Sequence, residues 1–592
     1  MRRLDKVRAL AAFSPDALAS IAYANQEIFL GLVVAGSAGL AYTWPICLAI
    51  TGLLGIVALS YFQTIHAYPS GGGSYVVARE NLGTLPGLVA AAALLLDYVL
   101  NAAVSLTAGV AAIASAFPGL WTYRVALALL LLLLITIINL RGMQETGTVL
   151  AIPVYTFVVV YLILIGIGIA RGLVGGSQVV VAAATQAIQP VTLYVLLHAF
   201  ATGSTALTGV EAISNGVPYF RQPEAHNAGR TLLVMALLMA LLFLGTNGLT
   251  HFFSIQPRPD ETILSALARA LLGGGIGYYA VQVTTLAILA VAANTSYAGF
   301  PRLVAILAAD AYLPRQLSRL GDRLGFTNGI VLLSIAAAAL IVLFGGDTHA
   351  LIPLFAVGAF LAFTLSQAGM VRHWTKELGK KRAGHALING VGALATGIAL
   401  LVVAYSKFME GAWISLLAIP IIVVAFQRIH GHYQEVRRQL SLHGLPPSLR
   451  PVSPARVVIP ISSVHRGIVN AVLFAQTISN DVTGVYVELE EGSGERVQRE
   501  WHEWWPDLRL VVIPSPYRSL LGPLLEYLDK TDAENNDGQL AVVVLPEFVT
   551  SHWWQNILHN QTAILIKAAL LYGRRRAGGE RLVVDVPYHL KR

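Results

Sequence analysis

The sequence predicts a polytopic α-helical membrane domain followed by a small α/β domain on the same chain. Three observations carry that prediction. The 592 residues are 56% hydrophobic and only 12% charged, about half the charge of an average soluble domain, and their mean hydropathy is +0.65. Twelve apolar runs stand before residue 430, each long enough, at roughly 17–25 residues or more, to cross a bilayer as a helix. Beyond residue 450 these runs give way to short β-branched segments alternating with helical ones. Such a composition excludes an ordinary soluble enzyme, a disordered chain and a disulfide scaffold. The single cysteine, Cys47, leaves no internal disulfide and no cysteine-rich metal site.

The apolar runs fall near 15–38, 40–62, 85–117, 123–140, 146–170, 190–216, 229–250, 277–307, 328–345, 350–371, 387–405 and 411–428. The third and eighth exceed the hydrocarbon thickness, so they are expected to tilt or to extend beyond it. Arg2, Arg3, Lys6 and Arg8 lead straight into the first run without a small-residue cleavage site, so no signal peptide is expected.

The net charge of +8 divides unevenly: +10 on residues 1–450 and −2 on 451–592. The basic excess therefore belongs to the apolar part, where it reports orientation and not nucleic-acid binding. With the N-terminus inside, the cytoplasmic segments hold 17 Lys and Arg, among them Arg79, Arg141, Arg221, Arg230, Arg302, Arg315, Arg319, Arg323 and Arg372. The outer segments hold 5: Arg124, Arg171, Arg258, Arg269 and Lys407. That asymmetry predicts a multi-pass cell-membrane protein with an even number of spans and both termini in the cytoplasm.

The expected domains are a membrane domain at 1–436, a polar, proline-bearing linker at 437–454 and a cytoplasmic α/β domain at 455–592. Predicted strands are Val457–Ile461, Val482–Leu489, Leu508–Ile513, Leu540–Leu545 and Leu582–Val586, with helices at Ile468–Ile478, Tyr517–Leu528 and Asn556–Tyr572. The alternation predicts a doubly wound sheet. The first strand runs into Ser462–Gly467 with no glycine-rich phosphate loop. His465, His502, His552, His559 and His589 form no recognised metal motif, and Trp501, Trp504 and Trp505 read as a packing cluster. Catalysis by the tail is not expected.

Charged side chains in a span are costly, on the order of 2.5–3.5 kcal/mol at the bilayer centre, unless they are paired, neutral or facing water. Asp16, Glu27, Asp97 and Glu211 fall within apolar runs. Asp16, Ser20, Tyr23 and Glu27 share one helical face by spacing, as do Asp97, Asn101 and Ser105. Tyr98 adjoins the second stripe. Thr205, Thr208, Glu211 and Ser214 repeat at three residues, and Asn294–Ser296 repeat the signal more weakly. Three stripes predict one hydrated, oxygen-lined site. Ser20 and Ser214 read equally well as helix–helix contacts, and Asp16 and Glu27 as interfacial or capping residues. Asp97 and Glu211 have no Lys or Arg within their spans.

In transporters built from inverted repeats, the first helix of each repeat is broken at mid-membrane. In a five-plus-five scheme these are spans 1 and 6. Thr208-Gly209-Val210-Glu211 predicts the break in span 6, whereas span 1 has no glycine between Ser14 and Leu30, so its break is expected from symmetry alone. Tyr68-Pro69-Ser70-Gly71-Gly72-Gly73-Ser74-Tyr75 reads as a cytoplasmic hinge or as a simple turn.

Phe13–Tyr23 (FSPDALASIAY), Tyr68–Tyr75, Asp97–Leu100, Ala206–Asn215 (ALTGVEAISN) and Phe363–Gln367 resemble the amino acid–polyamine–organocation superfamily, and within it the KimA branch of the KUP potassium transporters. The tail resembles the universal-stress-protein-like domain of that branch. The resemblance implies a LeuT-like 5+5 inverted repeat plus two helices, proton-coupled potassium uptake, and a homodimer joined through the tails. It implies no cofactor, and regulation by cyclic di-AMP would fit it. Potassium positions carried over by motif are Asp16, Tyr23, Asp97, Tyr98, Ser105, Thr208 and Glu211, with Asp97 and Thr208 as direct ligands. Asn101 stands where the family has Thr and still offers a carbonyl oxygen. Phe355 stands where Tyr is expected and offers none.

The residue chemistry agrees with this. Hydroxyl, carbonyl and carboxylate oxygens suit a hard monovalent ion, and Glu211 or Asp16 is the expected proton carrier. The alternative is a proton-coupled amino-acid or polyamine transporter of the same fold. A zwitterion would need free N–H groups at the span 1 break, and a wall of carboxylates would repel its own carboxylate. A polyamine would welcome that wall.

Overall fold

The computed structural model describes residues 3–71, 73–141, 147–174, 187–255, 260–318, 326–376, 380–441, 455–515, 519–535, 541–549, 562–572 and 581–589. Most of the predicted linker (442–454), Arg2, Gly72, Arg258, Arg319, Arg323, His552, His559 and the starts of two predicted tail helices lie outside the described residues. The chain forms two compact units, Met1–Ser441 and Leu442–Arg592.

Among the described residues, apart from one isolated bridge between Leu4 and Phe220, the first unit is helical. It begins with α1 (Lys6–Phe13), α2 (Pro15–Ala19), α3 (Ile21–Val33), α4 (Gly36–Leu40), α5 (Thr43–Ala67) and α6 (Ser74–Leu82). It continues with α7 (Thr84–Ala116), α8 (Arg124–Leu140), α9 (Gly147–Val174), α10 (Leu193–Gly203), α11 (Ala212–Asn215) and α12 (Glu224–Phe252). The last six are α13 (Ile263–Leu272), α14 (Ile276–Ala309), α15 (Thr327–Leu343), α16 (Thr348–Lys376), α17 (Lys380–Ser406) and α18 (Ala412–Gln439). Among the described residues, ten helices are long and apolar enough to cross a membrane, so the protein is a multi-pass membrane protein. The two remaining apolar runs are the interrupted α1–α3 and α15, whose 17 residues stop just short.

Burial orders these helices. The most apolar stretch of α7 is 83% buried inside the bundle, against 17% for the span that includes α8. Small residues make the difference. Ala90–Ala93, Ala102 and Ala103 of α7 are fully buried, which lets α14 and α16 approach its backbone closely. The helix carrying Asp97 is therefore the centre of the bundle, while α8 turns Leu130, Leu133 and Leu134 outward.

The first run is interrupted at Ser14 and Ser20, yet both serines keep a right-handed helical backbone. The Ser14 hydroxyl donates to Leu10 O, and the Ser20 hydroxyl to Ala17 O at 2.6 Å and Ala206 O at 2.8 Å. Such back-bonding disturbs a helix without unwinding it. The open break expected from symmetry is thus reduced to two interruptions, because span 1 lacks the glycine that would let it leave the helix.

The sixth run does break. After α10 comes one 3-10 turn, Ser204–Leu207, then a non-helical Thr208–Glu211 before α11. Thr208 is extended, at ψ 152°. Gly209 has φ +80°, and a Cβ there would lie 2.7 Å from both Ala17 N and Asp16 Cγ. Only glycine satisfies both the conformation and the approach. The three-residue spacing of Thr205 and Thr208 follows the 3-10 turn, which has three residues per turn.

The second unit is a five-stranded parallel sheet. Its strands are β1 (Arg456–Ile461), β2 (Val482–Glu488), β3 (Arg509–Pro514), β4 (Ala541–Val549) and β5 (Arg581–His589), in the order β3-β2-β1-β4-β5. Helices α19 (Arg466–Ile478), α20 (Ser493–Trp504), α21 (Leu521–Asn535) and α22 (Thr562–Tyr572) connect them. Helix α20 was absent from the sequence expectation because its apolar face is only Val497 and Trp501 in a highly charged stretch. Trp501 is buried, donates to Leu508 O at 2.9 Å and fills the space left by Gly484, while Trp504 stays exposed. His465 caps α19, its Nδ1 accepting from Gly467 N at 3.1 Å.

Candidate functional site

Three buried carboxylates converge at the middle of the bundle. Asp16 comes from α2, Asp97 from α7 and Glu211 from the break in span 6. They are 7%, 7% and 5% exposed. With Tyr98 they line one cavity of about 90 Å³, which Phe13, Thr295 and Arg302 also border. Asp16 Oδ1, Asp97 Oδ1 and Glu211 Oε1 are each buried without a hydrogen-bond partner among the described residues. Nearly all buried polar groups are satisfied in folded proteins, so three orphaned carboxylate oxygens around one cavity single it out as the candidate site.

The second oxygen of Glu211 is held firmly. Glu211 Oε2 accepts from Ser74 Oγ at 2.8 Å and from the Tyr61 hydroxyl at 3.2 Å. Ser74 opens α6 at the end of the glycine-rich loop. A Cβ on Gly73 would lie 2.5 Å from Asn215 Oδ1, so that loop needs glycine to reach the broken span. It therefore supplies a hydrogen bond to the site besides turning the chain. Tyr61 is not singled out by the sequence, and Ser74 enters there only as part of the Tyr68–Tyr75 hinge or turn. The available signal was polarity within a span, since Ser60, Tyr61, Gln63 and Thr64 interrupt α5.

The remaining predicted positions divide into three groups. Tyr23 and Thr208 pair beside the cavity, with their hydroxyls 3.4 Å apart. Asn101 and Ser105 bind each other: Ser105 Oγ donates to Asn101 Oδ1 at 3.1 Å, and Asn101 Nδ2 donates to Ser296 Oγ at 3.0 Å. Their hydrogen bonds tie α7 to α14. Glu27, on the same stripe as Asp16, is a full turn beyond Tyr23 and bonds His349 Nδ1 at 2.7 Å. That carboxylate is 3% exposed and does not line the cavity.

Of the weaker triplet, Thr295 lines the cavity, Ser296 supports Asn101, and Asn294 accepts from Asn139 at 2.7 Å. Ser20 joins the two interrupted spans through Ala206 O. Phe355 is fully buried on α16, about one turn before Ala359 of the cavity wall. Arg302 borders the same cavity from α14 and stacks over Tyr219 at 4.7 Å.

Comparison with known proteins agrees with both units. Residues 13–426 match the amino acid permease family, and residues 453–588 match the KimA potassium transporter C-terminal domain. Across 595 aligned positions the chain is 42% identical to the potassium transporter KimA of Bacillus subtilis (strain 168), covering 100% of this chain and 96% of that protein. A vacuolar cationic amino acid transporter 4 of Arabidopsis thaliana is 25% identical over 402 residues, covering 61% of this chain and 64% of that protein. The chain belongs to the amino acid permease family of membrane transporters and, by identity along its whole length, to the KimA type within it.

Proposed function

We propose that the protein takes up potassium by proton-coupled symport, working by alternating access, with no enzymatic activity. One observation carries this reading: three buried carboxylates, each with an orphaned oxygen, face a single small cavity. A volume of about 90 Å³ holds an ion and one or two waters, at roughly 30 Å³ per water. Organic ligand sites are usually about 300–1,000 Å³. The helical backbone at Ser20 also supports an ion over an amino acid, because Ser20 N and Ala24 N are already bonded to Asp16 O and Ser20 O. A substrate carboxylate would find no free N–H groups at these two positions.

In this reading Asp97, Thr208, Tyr23 and Tyr98 serve the ion, and Glu211 or Asp16 carries the proton. Asn101 and Ser105 support the site from behind. The amino end and the tail face the cytoplasm of a cell-membrane protein, and the tail joins two copies. A cavity of about 400 Å³ beyond the ends of β1 and β4, where the strand order reverses, supports a ligand-binding regulatory role, for which cyclic di-AMP is the expected effector.

Potassium uptake by purified protein in vesicles, with and without an inward proton gradient, tests the reading. Gradient-stimulated uptake that Asp97→Asn and Glu211→Gln abolish is expected. Undiminished uptake by both variants overturns the site. Stabilisation by putrescine or an amino acid, and none by potassium, transfers the proposal to an organic substrate.

A further inference from the structure

Away from the cavity mouth, the two interrupted spans end in a second set of ionisable side chains that ion binding does not use. Glu27 lies on α3 one turn beyond Tyr23, and His198 lies on α10 before the break. These two helices pack closely here, since a Cβ on Gly31 would lie 3.1 Å from Ala199. Each sends one bridge across to the opposing helices. Glu27 Oε2 is 2.7 Å from His349 Nδ1 at the start of α16. His198 Nε2 is 2.6 Å from Glu410 Oε1, in the turn between α17 and α18.

Lys407 joins the second bridge, its Nζ within hydrogen-bond distance of both His198 Nε2 and Glu410 Oε2. Lys407 Nζ is 2.7 Å from Glu410 Oε2 and is only 1% exposed. Burial by itself would raise the Glu410 carboxyl, but hydrogen bonds from His198 and Lys407 hold it down at about 2. Asp347 Oδ1 accepts from His349 N at 2.9 Å, and the Tyr194 hydroxyl donates to Ser406 O at 3.0 Å, at the same end of the bundle.

These contacts sit on the opposite side of the carboxylate site from the cavity's own border, which includes Ala12, Phe13, Gly216 and Arg302. In carriers with broken helices, one group of helices rocks against another around a fixed site. The bridges join those groups: α3 and α10 on one side, α16 and the α17–α18 turn on the other. We propose that Glu27–His349 and His198–Glu410–Lys407 form a two-part charge latch that closes the outer end of the transport path. Each part fastens one interrupted span, and the ion enters when both separate. The inference rests on the transporter reading but not on the identity of the ion.

The test is access to a thiol. Ala356 is buried two turns after His349 and one turn before the cavity-lining Ala359, on the same face of α16. With Cys47→Ala as background and Ala356→Cys as probe, a membrane-impermeant thiol reagent is applied to whole cells and, separately, to inverted vesicles. Glu27→Gln and His198→Gln are each expected to speed labelling in whole cells at least tenfold and to leave the inverted vesicles within twofold. The exchange Glu27→His with His349→Glu restores the bridge and is expected to return labelling to the slow rate.

Unchanged labelling in well-folded variants overturns the latch, as does equal acceleration by Tyr194→Phe, which removes a neutral contact. Acceleration confined to the inverted vesicles also overturns it. If Glu27→Gln does not fold, His349→Gln, whose side chain is half exposed, carries the same test. Loss of potassium uptake with a latch that still opens would sink the ion assignment alone.

Discussion

Two sets of carboxylates gather around the interrupted spans, one at the central cavity and one away from it, and the protein treats them in opposite ways. Away from the cavity, Glu27 and Glu410 are matched by His349, His198 and Lys407 at 2.6–2.7 Å. At the centre, Asp16, Asp97 and Glu211 each keep an orphaned oxygen. Where the chain supplies its own partner, a carboxylate becomes part of a structural bond, and removing one member leaves the other uncompensated. Where the oxygens stay orphaned, with Arg302 on the cavity border but bonded to none of them, they take in the proposed reading a cation or proton from outside. In the proposed mechanism the first set serves the gate and the second the binding site.

The strongest test of that contrast is Asp97→Asn. Removing one charge about 4 Å from a bound cation costs on the order of 4 kcal/mol at an effective dielectric of 20, about a thousandfold in affinity. The initial rate of potassium uptake at subsaturating concentration is expected to fall to background. Melting in potassium-free buffer should show the same protein at least as stable as the parent, because a self-repelling carboxylate has gone. Glu410→Gln is expected to do the reverse and melt a few degrees lower, since it leaves Lys407 buried beside a neutral partner. Equal melting shifts of the same sign would erase the distinction between the two regions.

Gly209→Ala comes next. It places a Cβ against Asp16 at φ +80°, and the strain of about 1–3 kcal/mol is expected to lower uptake on the order of tenfold to a hundredfold in protein that still reaches the membrane. Ser74→Ala removes a hydrogen bond to a charged group, worth roughly 1.5–3 kcal/mol. Its expected effect is about a tenfold loss of uptake, with a shifted dependence on proton concentration if Glu211 carries the proton. A loss of potassium affinity with an unchanged proton dependence would move the proton to Asp16. Phe355→Tyr is the smallest change. One added hydroxyl about a turn before the cavity-lining Ala359 is expected to lower the half-saturating potassium concentration about threefold, measured by uptake titration.

Several of these features were legible in the sequence for identifiable physical reasons. Each strand of the tail appeared within a few residues of its position, because β-branched runs bounded by polar residues have few other ways to fold. Asp97 and Glu211 were conspicuous because apolar surroundings make an unpaired charge costly. The break at Thr208–Glu211 was readable from Gly209. Helix α20 was not, since a charged helix buries only two side chains, and neither was the role of Ser74, which depends on a loop reaching a partner 137 residues away. Glu27 was grouped with Asp16 by a spacing that holds along the helix but says nothing of what faces it.

The sequence by itself determined that this is a multi-pass membrane protein with an α/β tail, and which carboxylates lie in lipid-length segments. Both follow from hydropathy and periodicity, which are local properties of the chain. The tertiary structure decided which of those carboxylates share a cavity and which are bridged. A charge's meaning depends on the groups that other helices bring within about 3 Å, and that distance is set by packing.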